Sequence, residues 1–443
     1  MSNPIVHTRR DFLNRSLALV SASATVPLFL DRTASAMDDA PKDGKAAKRR
    51  DDRPILVVIQ LAGGNDGLNT VIPMRNDRYY QARPRLAVKK DAALKLTDEI
   101  GLHPAMTGLK KLFDDGRLAI VQGVGYPNPN RSHFVATDIW ATADPDQRLH
   151  DGWLGRYFDC TCKGADPDPR QGIAITQEAP LAMVGDRFSP VSFGSPSELT
   201  WRSPAGSKSR QEAFKRLNQT AEGHPNEHDG PMDSTSALAY LERVAMDARA
   251  SAAEIQDAAG GSARPGGRAE RIRERIGGGR GRGGQLGQQL GMVRRMIAAG
   301  LATRVYYVSL GGFDTHAQQA ARQQQLLEQL GDAMATFIDE LKADGTLDRV
   351  LVVTFSEFGR RVAENASQGT DHGAAAPMFL AGGRVKAGIL TPHPSLEPDK
   401  LDRGDLKWST DFRGVYAGIL RDWMKVDAET ILGGRFDVIQ SVG

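Results

Sequence analysis

Runs of apolar, β-branched residues recur along the chain and predict strands that are buried on both faces. The longest lies at residues 55–61 (ILVVIQL). Four shorter runs follow it, at residues 118–121, 305–310, 350–355 and 378–380. Strands without an exposed polar face are typical of a parallel sheet that is covered by helices on both sides.

Segments with the apolar spacing of amphipathic helices separate these strands. They lie at residues 106–113, 287–299, 320–343 and 415–424. Because strands alternate with helices, we predict an α/β fold with right-handed crossovers between mostly parallel strands. A chain of 443 residues is long enough to bury the core that this fold needs.

One segment, at about residues 212–283, departs from this alternation. It holds a Pro/Gly/His/Asn-rich stretch at residues 223–231, a predicted helix at 234–258 and a Gly/Arg-rich run at 260–284. We interpret it as a helical insertion with an attached loop, inside one domain that spans residues 54–435.

The amino terminus carries an export pattern. The pair Arg9 and Arg10 precedes a modest apolar stretch at residues 17–30 and a small-x-small sequence at 34–36 (ASA). This pattern predicts a twin-arginine signal peptide at residues 1–36. The alternative is a membrane anchor, but the apolar stretch is shorter than the roughly 20 residues that a spanning helix needs.

Twin-arginine export implies a periplasmic or extracellular protein that meets the twin-arginine translocase during export. The charged, Ala-rich residues 37–53 are predicted to form a tether, and we expect no stable membrane span after cleavage. The net charge of +3 is too small to indicate a nucleic-acid partner. The cysteines, Cys160 and Cys162, form a C-x-C pair that makes a poor zinc site, and they provide no disulfide framework.

Polar residues cluster where the predicted strands end. Ligands bind outside the carboxyl ends of strands in open α/β sheets, so these positions are candidates for chemistry. They are Asn65, Asp66 and Asn69 after the first strand, Asp314 and His316 after 305–310, Ser356 and Glu357 after 350–355, and Asp371 and His372 before 378–380.

Carboxylates combined with imidazoles suit zinc, manganese and related divalent ions. The Asp-x-His spacing of Asp314 and His316 puts both side chains on one side of an extended segment, about 6.5 Å apart along the chain. Each segment alone also fits an ordinary turn or a surface pair. The presence of all four at strand ends favours a metal site.

Ser132 is a candidate nucleophile because it directly precedes a predicted helix at residues 134–142. A hydroxyl there is often only a helix N-cap. The same position exposes backbone N–H groups that stabilise an anion, and Arg131 could bind an oxygen of a phosphate or sulfate. Both interpretations remain open on the residues alone.

Several long motifs, in the same order along the chain, resemble the DUF1501 family of exported bacterial proteins of unassigned function. They include LAGGNDGLNTVIP, NRSHFVATDIWAT, SLGGFDTHAQQ, SEFGRRVAENASQGTDHGAAAPMFLAGG and TDFRGVYAGILRDWM. The family is similar in turn to the alkaline phosphatase and sulfatase superfamily. This resemblance implies an alkaline-phosphatase-like three-layer sandwich with a mostly parallel central sheet.

The superfamily binds two metal ions at strand ends and attacks an ester with a Ser or Thr. The resemblance implies that Ser132 is the nucleophile, and it matches the metal ligands Asp66, Asp314, His316 and His372. Glu357 falls where the superfamily has an Asp-His pair, so a carboxylate is retained and an imidazole is lost. Asp371 is a compensating candidate ligand. We assign Arg131 and Asn69 to substrate binding.

The function implied is metal-dependent hydrolysis of phosphate or sulfate esters in small molecules or polymers, with one or two divalent ions such as zinc, manganese or calcium. A non-catalytic, sulfatase-like metal-binding or surface-assembly protein is the alternative. A serine hydrolase using Ser132 and a distant His is less favoured, because no G-x-S-x-G sequence surrounds Ser132.

Overall fold

The computed structural model describes residues 52–162, 168–196, 252, 254–259 and 283–443. The predicted signal peptide, nearly all of the tether and most of the predicted insertion lie outside the described residues. Residues 254–259, at the end of the helix predicted for the insertion, are helical.

The strands are β1 Ile55–Ala62, β2 Val71–Pro73, β3 Leu94–Lys95, β4 Ile100–Leu102, β5 Leu118–Gly125, β6 Gly172–Ala174, β7 Val191–Ser192, β8 Val305–Gly311, β9 Val350–Phe355, β10 Ala376–Gly382, β11 Gly388–Ile389 and β12 Thr410–Asp411.

A large, mostly parallel sheet forms the centre of the domain. Its strand order is β11-β5-β10-β9-β1-β8-β6-β7, with β12 beside β5. Within the described residues, β10 runs antiparallel to its neighbours β5 and β9, and the other pairs in this sheet are parallel. A small sheet of order β2-β4-β3 lies beside it.

The helices predicted at residues 106–113, 134–142, 287–299, 320–343 and 415–424 are confirmed, with small shifts at their ends. The segment predicted at 415–424 consists of a short α-helix that continues into a π-helical turn, Ile419–Trp423. The helices are α1 Gly67–Thr70, α2 Asp77–Ala82, α3 Thr107–Asp114, α4 His133–Thr142, α5 Trp153–Thr161, α6 Gly284–Ala299, α7 Gln319–Ala343, α8 Phe412–Gly418 and α9 Ala428–Leu432.

Alternate residues of each central strand belong to two separate apolar cores. In β1, Ile55 and Val57 pack with residues of α3, α6 and α7. Leu56 and Val58 pack on the other face, with residues of α4, α5 and α8. Side chains of a strand point alternately to opposite faces, so this division shows helices on both sides of the sheet. The predicted α/β fold with a three-layer arrangement is confirmed.

The strand order explains why distant segments of the chain meet at one edge of the sheet. β1 lies between β8 and β9 and is parallel to both, so the carboxyl ends of these three strands are neighbours. β10 is antiparallel to β9, and its amino end therefore lies at that same edge. The loops that follow β1 and β8 therefore meet, at this edge, the segment that connects β9 to β10.

Gly64, in the first of these loops, is held in a backbone conformation and a space that only glycine fits. Its φ is +76°, and a Cβ there would lie 2.4 Å from the Phe358 ring. Gly116 has a similar φ of +69°, but a Cβ there would have no neighbour within 4 Å. Substitutions at these two glycines can therefore be compared: both place a side chain on a left-handed backbone, but only the substitution at Gly64 also creates a steric clash.

We expect Gly116→Ala to lower the free energy of unfolding by about 1–2 kcal/mol, since it forces an L-residue into the left-handed region. Gly64→Ala should cost a further 1–3 kcal/mol or so, because the added methyl group overpacks a buried ring. Urea unfolding of the mature protein measures both values. An equal loss for the two variants would contradict the steric account.

Candidate functional site

Three imidazoles surround one carboxylate oxygen at this edge of the sheet. The Nε2 atoms of His316 and His372 lie 3.0 and 3.1 Å from Oδ1 of Asp314, and Nε2 of His133 lies 3.5 Å from it. The two Nε2 atoms of His316 and His372 are 2.9 Å apart. His133, Asp314 and His372 can each direct one ligand atom so that all three lie within 4.8 Å of one another. We call His133, His316, His372 and Asp314 the histidine cluster.

Each imidazole of the cluster has an oxygen acceptor near its other ring nitrogen. Nδ1 of His372 lies 2.8 Å from the Arg131 carbonyl oxygen, and Nδ1 of His133 lies 2.8 Å from Oε1 of Glu357. Nδ1 of His316 lies 3.5 Å from Oδ1 of Asp371. An Nδ1–H that donates outward leaves the Nε2 lone pair directed into the cluster, as in metal-binding histidines.

The Nε2 atom of His133 is buried and, in the part of the chain that the structure describes, makes no hydrogen bond. A buried nitrogen without a partner is uncommon and needs an explanation, such as an ion. Phe358 packs against the rings of His133 and His372, at centroid distances of 4.9 and 4.6 Å. This contact holds both rings in place from one side.

The buried Arg360 fixes the loops that carry the cluster. Its guanidinium donates to the carbonyl oxygens of Gly64 at 2.7 Å, Thr370 at 2.8 Å and Phe313 at 3.0 Å, and also to that of Gly63. It donates as well to Oδ1 of Asp314, at 2.8 Å. Arg360 thereby joins the segments after β1 and β8 to the segment before β10.

Asp314 carries a negative charge at neutral pH. Partial burial raises the pKa of its carboxyl, but the hydrogen bond and the positive charge of Arg360, together with the nearby imidazoles of His372 and His316, outweigh this effect and lower the pKa from 3.8 to about 2. Because the folded-state pKa is depressed, the contribution of Asp314 to stability is present above about pH 4 and is lost as the pH falls through 2. The carboxylate is about half exposed, so that contribution is small.

The structure brings together Asp314, His316 and His372 as the sequence predicts, and it adds His133, which sequence reasoning missed. The one feature of the sequence that could have pointed to His133 is its position directly after Ser132, at a predicted helix start. Its use as a cluster residue depends on the placement of α4 against the loop after β9, which the local sequence does not reveal.

Asp66 lies in a buried ion pair and not in the histidine cluster. Its Oδ2 accepts hydrogen bonds from Arg83, at 2.6 Å, and from Gln319. Arg83 is fully buried and also donates to the carbonyl oxygens of Arg361 and Val362. This placement differs from the predicted role of Asp66 as a metal ligand, because a guanidinium already neutralises the carboxylate.

Asn69 is also buried, and its amide group is occupied by the protein. It donates to the Leu86 carbonyl oxygen at 2.8 Å and accepts from Tyr79 and Arg83 at 2.8 and 2.9 Å. The structure therefore does not present Asn69 to a substrate, which differs from its predicted role. Instead, Asn69 supports the Arg83–Asp66 pair.

Two further predicted site residues, Glu357 and Arg131, have charged groups that contact other groups of the protein. Glu357 is almost fully buried, and its Oε1 accepts from the Gly63 N–H at 2.8 Å as well as facing His133. The Arg131 guanidinium forms an ion pair with the buried Asp405, while the Arg131 carbonyl accepts from His372. Asp371 is half exposed, and a hydrogen bond from Asn365 lowers the pKa of its carboxyl.

Ser132 occupies the N-cap position of α4 but does not cap it. The side chain is exposed and makes no capping hydrogen bond, while the Ser132 N–H donates to Oδ1 of Asn130 at 2.8 Å. On one side of Ser132, the Arg131 carbonyl accepts from His372, and on the other side His133 belongs to the cluster. The Ser132 hydroxyl therefore does not fill the capping role that the sequence left as an alternative.

Removing the charge of Arg83 should destabilise the protein strongly. Arg83→Met leaves the Asp66 carboxylate buried without its cation, so we expect a loss of about 3–5 kcal/mol in urea unfolding. The double variant Asp66→Asn/Arg83→Met should lose less than the single variant. Lys110→Met is the control: it removes an exposed pair with Asp114 and should cost about 0.5 kcal/mol or less. A small loss for Arg83→Met would contradict a structural role for this pair.

Solved structures with a related architecture come from bacterial proteins, at low identity. The lipoteichoic acid synthase LtaP from Listeria monocytogenes is 9% identical, with 93% of this chain and 82% of that chain covered and a TM-score of 0.35. The sulfatase PsFucS1 from Pseudoalteromonas sp. is 11% identical, with coverages of 93% and 74% and a TM-score of 0.37. The C-terminal periplasmic domain of EcEptC from Escherichia coli is 10% identical, with coverages of 85% and 84% and a TM-score of 0.33.

Among curated proteins, none matches this chain. Within the described residues, every helix is too short or too polar to cross a membrane. The sequence model of the family described as "Protein of unknown function (DUF1501)" matches residues 53–393, which is most of the chain. The protein therefore belongs to the DUF1501 family.

Proposed function

We propose that this protein is an exported, metal-dependent hydrolase of phosphate or sulfate esters. The observation that carries the proposal is the convergence of three imidazole Nε2 atoms on Oδ1 of Asp314, with an acceptor oxygen at each outer ring nitrogen. Imidazoles with a carboxylate suit zinc or manganese better than calcium, which prefers a shell of oxygen ligands.

The spacing of the cluster fits a small divalent ion. Ligand atoms roughly 2.0–2.1 Å from a tetrahedral zinc ion stand about 3.3 Å from each other. The separations between Asp314 Oδ1 and the Nε2 atoms of His133 and His372, 3.5 and 3.1 Å, lie close to this value, and these three residues each have a ligand atom within 4.8 Å of the others. The partnerless Nε2 of His133 would gain a ligand bond on such an ion.

Ser132 is the proposed nucleophile. Its Oγ forms a bond to the phosphorus or sulfur of the ester while the bond to the leaving alcohol breaks, and the alcohol departs with a proton. Water then hydrolyses the seryl ester and releases phosphate or sulfate. The backbone N–H groups of the first turn of α4, which no Ser132 side-chain cap occupies, stabilise the negative oxygens of the transferred group. A bound ion supplies Lewis-acid stabilisation of that charge and lowers the pKa of a hydroxyl or water.

Export by the twin-arginine pathway is part of the same proposal. The pair Arg9 and Arg10 with the apolar stretch and the small-x-small sequence supports a signal at residues 1–36. The substrate is then a small-molecule or polymer ester of the periplasm or the extracellular space.

A second candidate, a non-catalytic metal-binding or surface-assembly protein, also has a specific observation in its favour. The guanidinium groups of Arg83, Arg131 and Arg360 are all engaged by protein acceptors. None of these three cations is left to bind a phosphate or sulfate group, a role that arginine often fills in ester hydrolases.

Metal removal and replacement tests the leading proposal. The mature protein, isolated after native export, is stripped with a chelator, reloaded with zinc, manganese or calcium, and assayed on 4-nitrophenyl phosphate, bis(4-nitrophenyl) phosphate and 4-nitrophenyl sulfate. We expect zinc or manganese to bind and to restore hydrolysis of at least one ester. Binding without hydrolysis of any phosphate or sulfate ester would favour the second candidate. Failure to bind any divalent ion would overturn both.

Substitution of the proposed nucleophile tests the covalent step. Ser132→Ala should lower kcat by at least about a thousandfold, since the residual activity then depends on binding and charge stabilisation alone. Ser395→Ala, at another exposed serine, should leave kcat unchanged. Mass spectrometry of the quenched wild-type reaction should find the phosphoryl or sulfuryl group on the peptide that contains Ser132. A full rate for Ser132→Ala would contradict the mechanism.

A further inference from the structure

We infer that the site holds a single divalent cation, bound by His133, His372 and Asp314, and that Glu357 is a positioning residue for His133 and not a metal ligand. The inference rests on the proposed metal-dependent function, and it gives the number of ions and the division of roles among the acidic residues.

The first argument concerns the carboxylate that would serve a second ion. Asp66 is buried, and Arg83 and Gln319 donate to its Oδ2. Its Oδ1 faces the Asn69 N–H at the start of α1. A buried carboxylate already paired with a guanidinium has no need of a further cation, and breaking that pair would cost several kcal/mol. We therefore infer that Asp66 does not bind a metal ion.

The second argument concerns Glu357, the carboxylate that sequence analysis placed on the ion. Its Oε1 lies 2.8 Å from Nδ1 of His133 and accepts from the Gly63 N–H at the same distance. Its Oε2 is 3.4 Å from the Ser356 hydroxyl. These contacts place the carboxylate on the outer side of the His133 ring, opposite the nitrogen that faces Asp314.

A carboxylate in this position selects the tautomer in which Nδ1 carries the proton, and it makes Nε2 a stronger electron-pair donor. The sequence lacks an imidazole at the Ser356–Glu357 pair. His133 supplies one from α4, and Glu357 orients it. The retained carboxylate therefore acts through a histidine that belongs to another element of the fold.

Asp371 faces the outer ring nitrogen of His316, as Glu357 faces that of His133, but its contact is weaker. Oδ1 of Asp371 lies 3.5 Å from Nδ1 of His316, and the carboxylate is half exposed to solvent. Exposed pairs contribute little, whereas a buried hydrogen bond to a charged group contributes more. Substitution of Glu357 should therefore weaken metal binding more than substitution of Asp371, and Asp371→Asn is the matched control.

The test is titration of the metal-free mature protein with cobalt(II), followed by visible absorption, with competition against zinc to obtain affinities. We expect one ion per chain. Glu357→Gln keeps an acceptor oxygen for Gly63 and His133 but loses the charge, so metal affinity should fall about 10- to 100-fold. The cobalt absorption bands should keep their position and intensity, because the residues that bind the ion are unchanged. Asp371→Asn should change affinity by less than about threefold.

His133→Ala should alter the cobalt bands, since it removes a ligand, and Glu357→Gln should have no further effect in that background. His133→Gln serves as a second variant if the alanine variant unfolds, and circular dichroism checks the fold of each. Two ions per chain, altered bands in Glu357→Gln, or an unchanged affinity in Glu357→Gln would each overturn the inference while leaving a metal-dependent hydrolase possible. Absence of any bound cobalt or zinc would instead overturn the proposed function itself.

Discussion

The guanidinium of Arg360 lies buried at the edge of the sheet, where it donates to four backbone carbonyl oxygens and to Asp314. The four carbonyls belong to the loops after β1 and β8 and to the loop before β10. Without Arg360, each of these buried acceptors would lose a hydrogen bond, and each acceptor left without any donor would cost about 1–3 kcal/mol. The position of the histidine cluster depends on this one side chain, because the same loops carry Asp314, His316 and His372.

The sheet determines which loops Arg360 can reach. Three parallel strands, β9, β1 and β8, end at the edge where the cluster lies, and the antiparallel β10 begins there. Helix α4 approaches the same edge from one face and contributes His133 to the cluster through the contact with Glu357. Ser132 is then flanked by two residues tied to the cluster, since the Arg131 carbonyl accepts from His372. The proposed nucleophile and the candidate ligands thus lie on segments that are held by one set of contacts.

Prediction from the sequence worked best where a pattern reports a local property. Runs such as ILVVIQL predicted buried strands correctly, because a strand that is covered on both faces consists of apolar residues, and the sequence shows these directly. Asp314, His316 and His372 were found because they follow or precede such strands. The roles of the charged residues were harder to predict. Asp66 and Arg131 look like ligands for a metal and a phosphate in sequence, but their partners, Arg83 and Asp405, are 17 and 274 positions away.

The sequence by itself determined the α/β class, the strands and helices, and the three cluster residues that sit at strand ends, because strand ends and apolar periodicity are local features. Only the tertiary structure decided which polar groups face each other. It brought His133 to Asp314, placed Glu357 behind that imidazole, and enclosed Asp66 with a cation. A charged side chain acquires its role from the groups that surround it once water is excluded, and those groups come from every part of the chain.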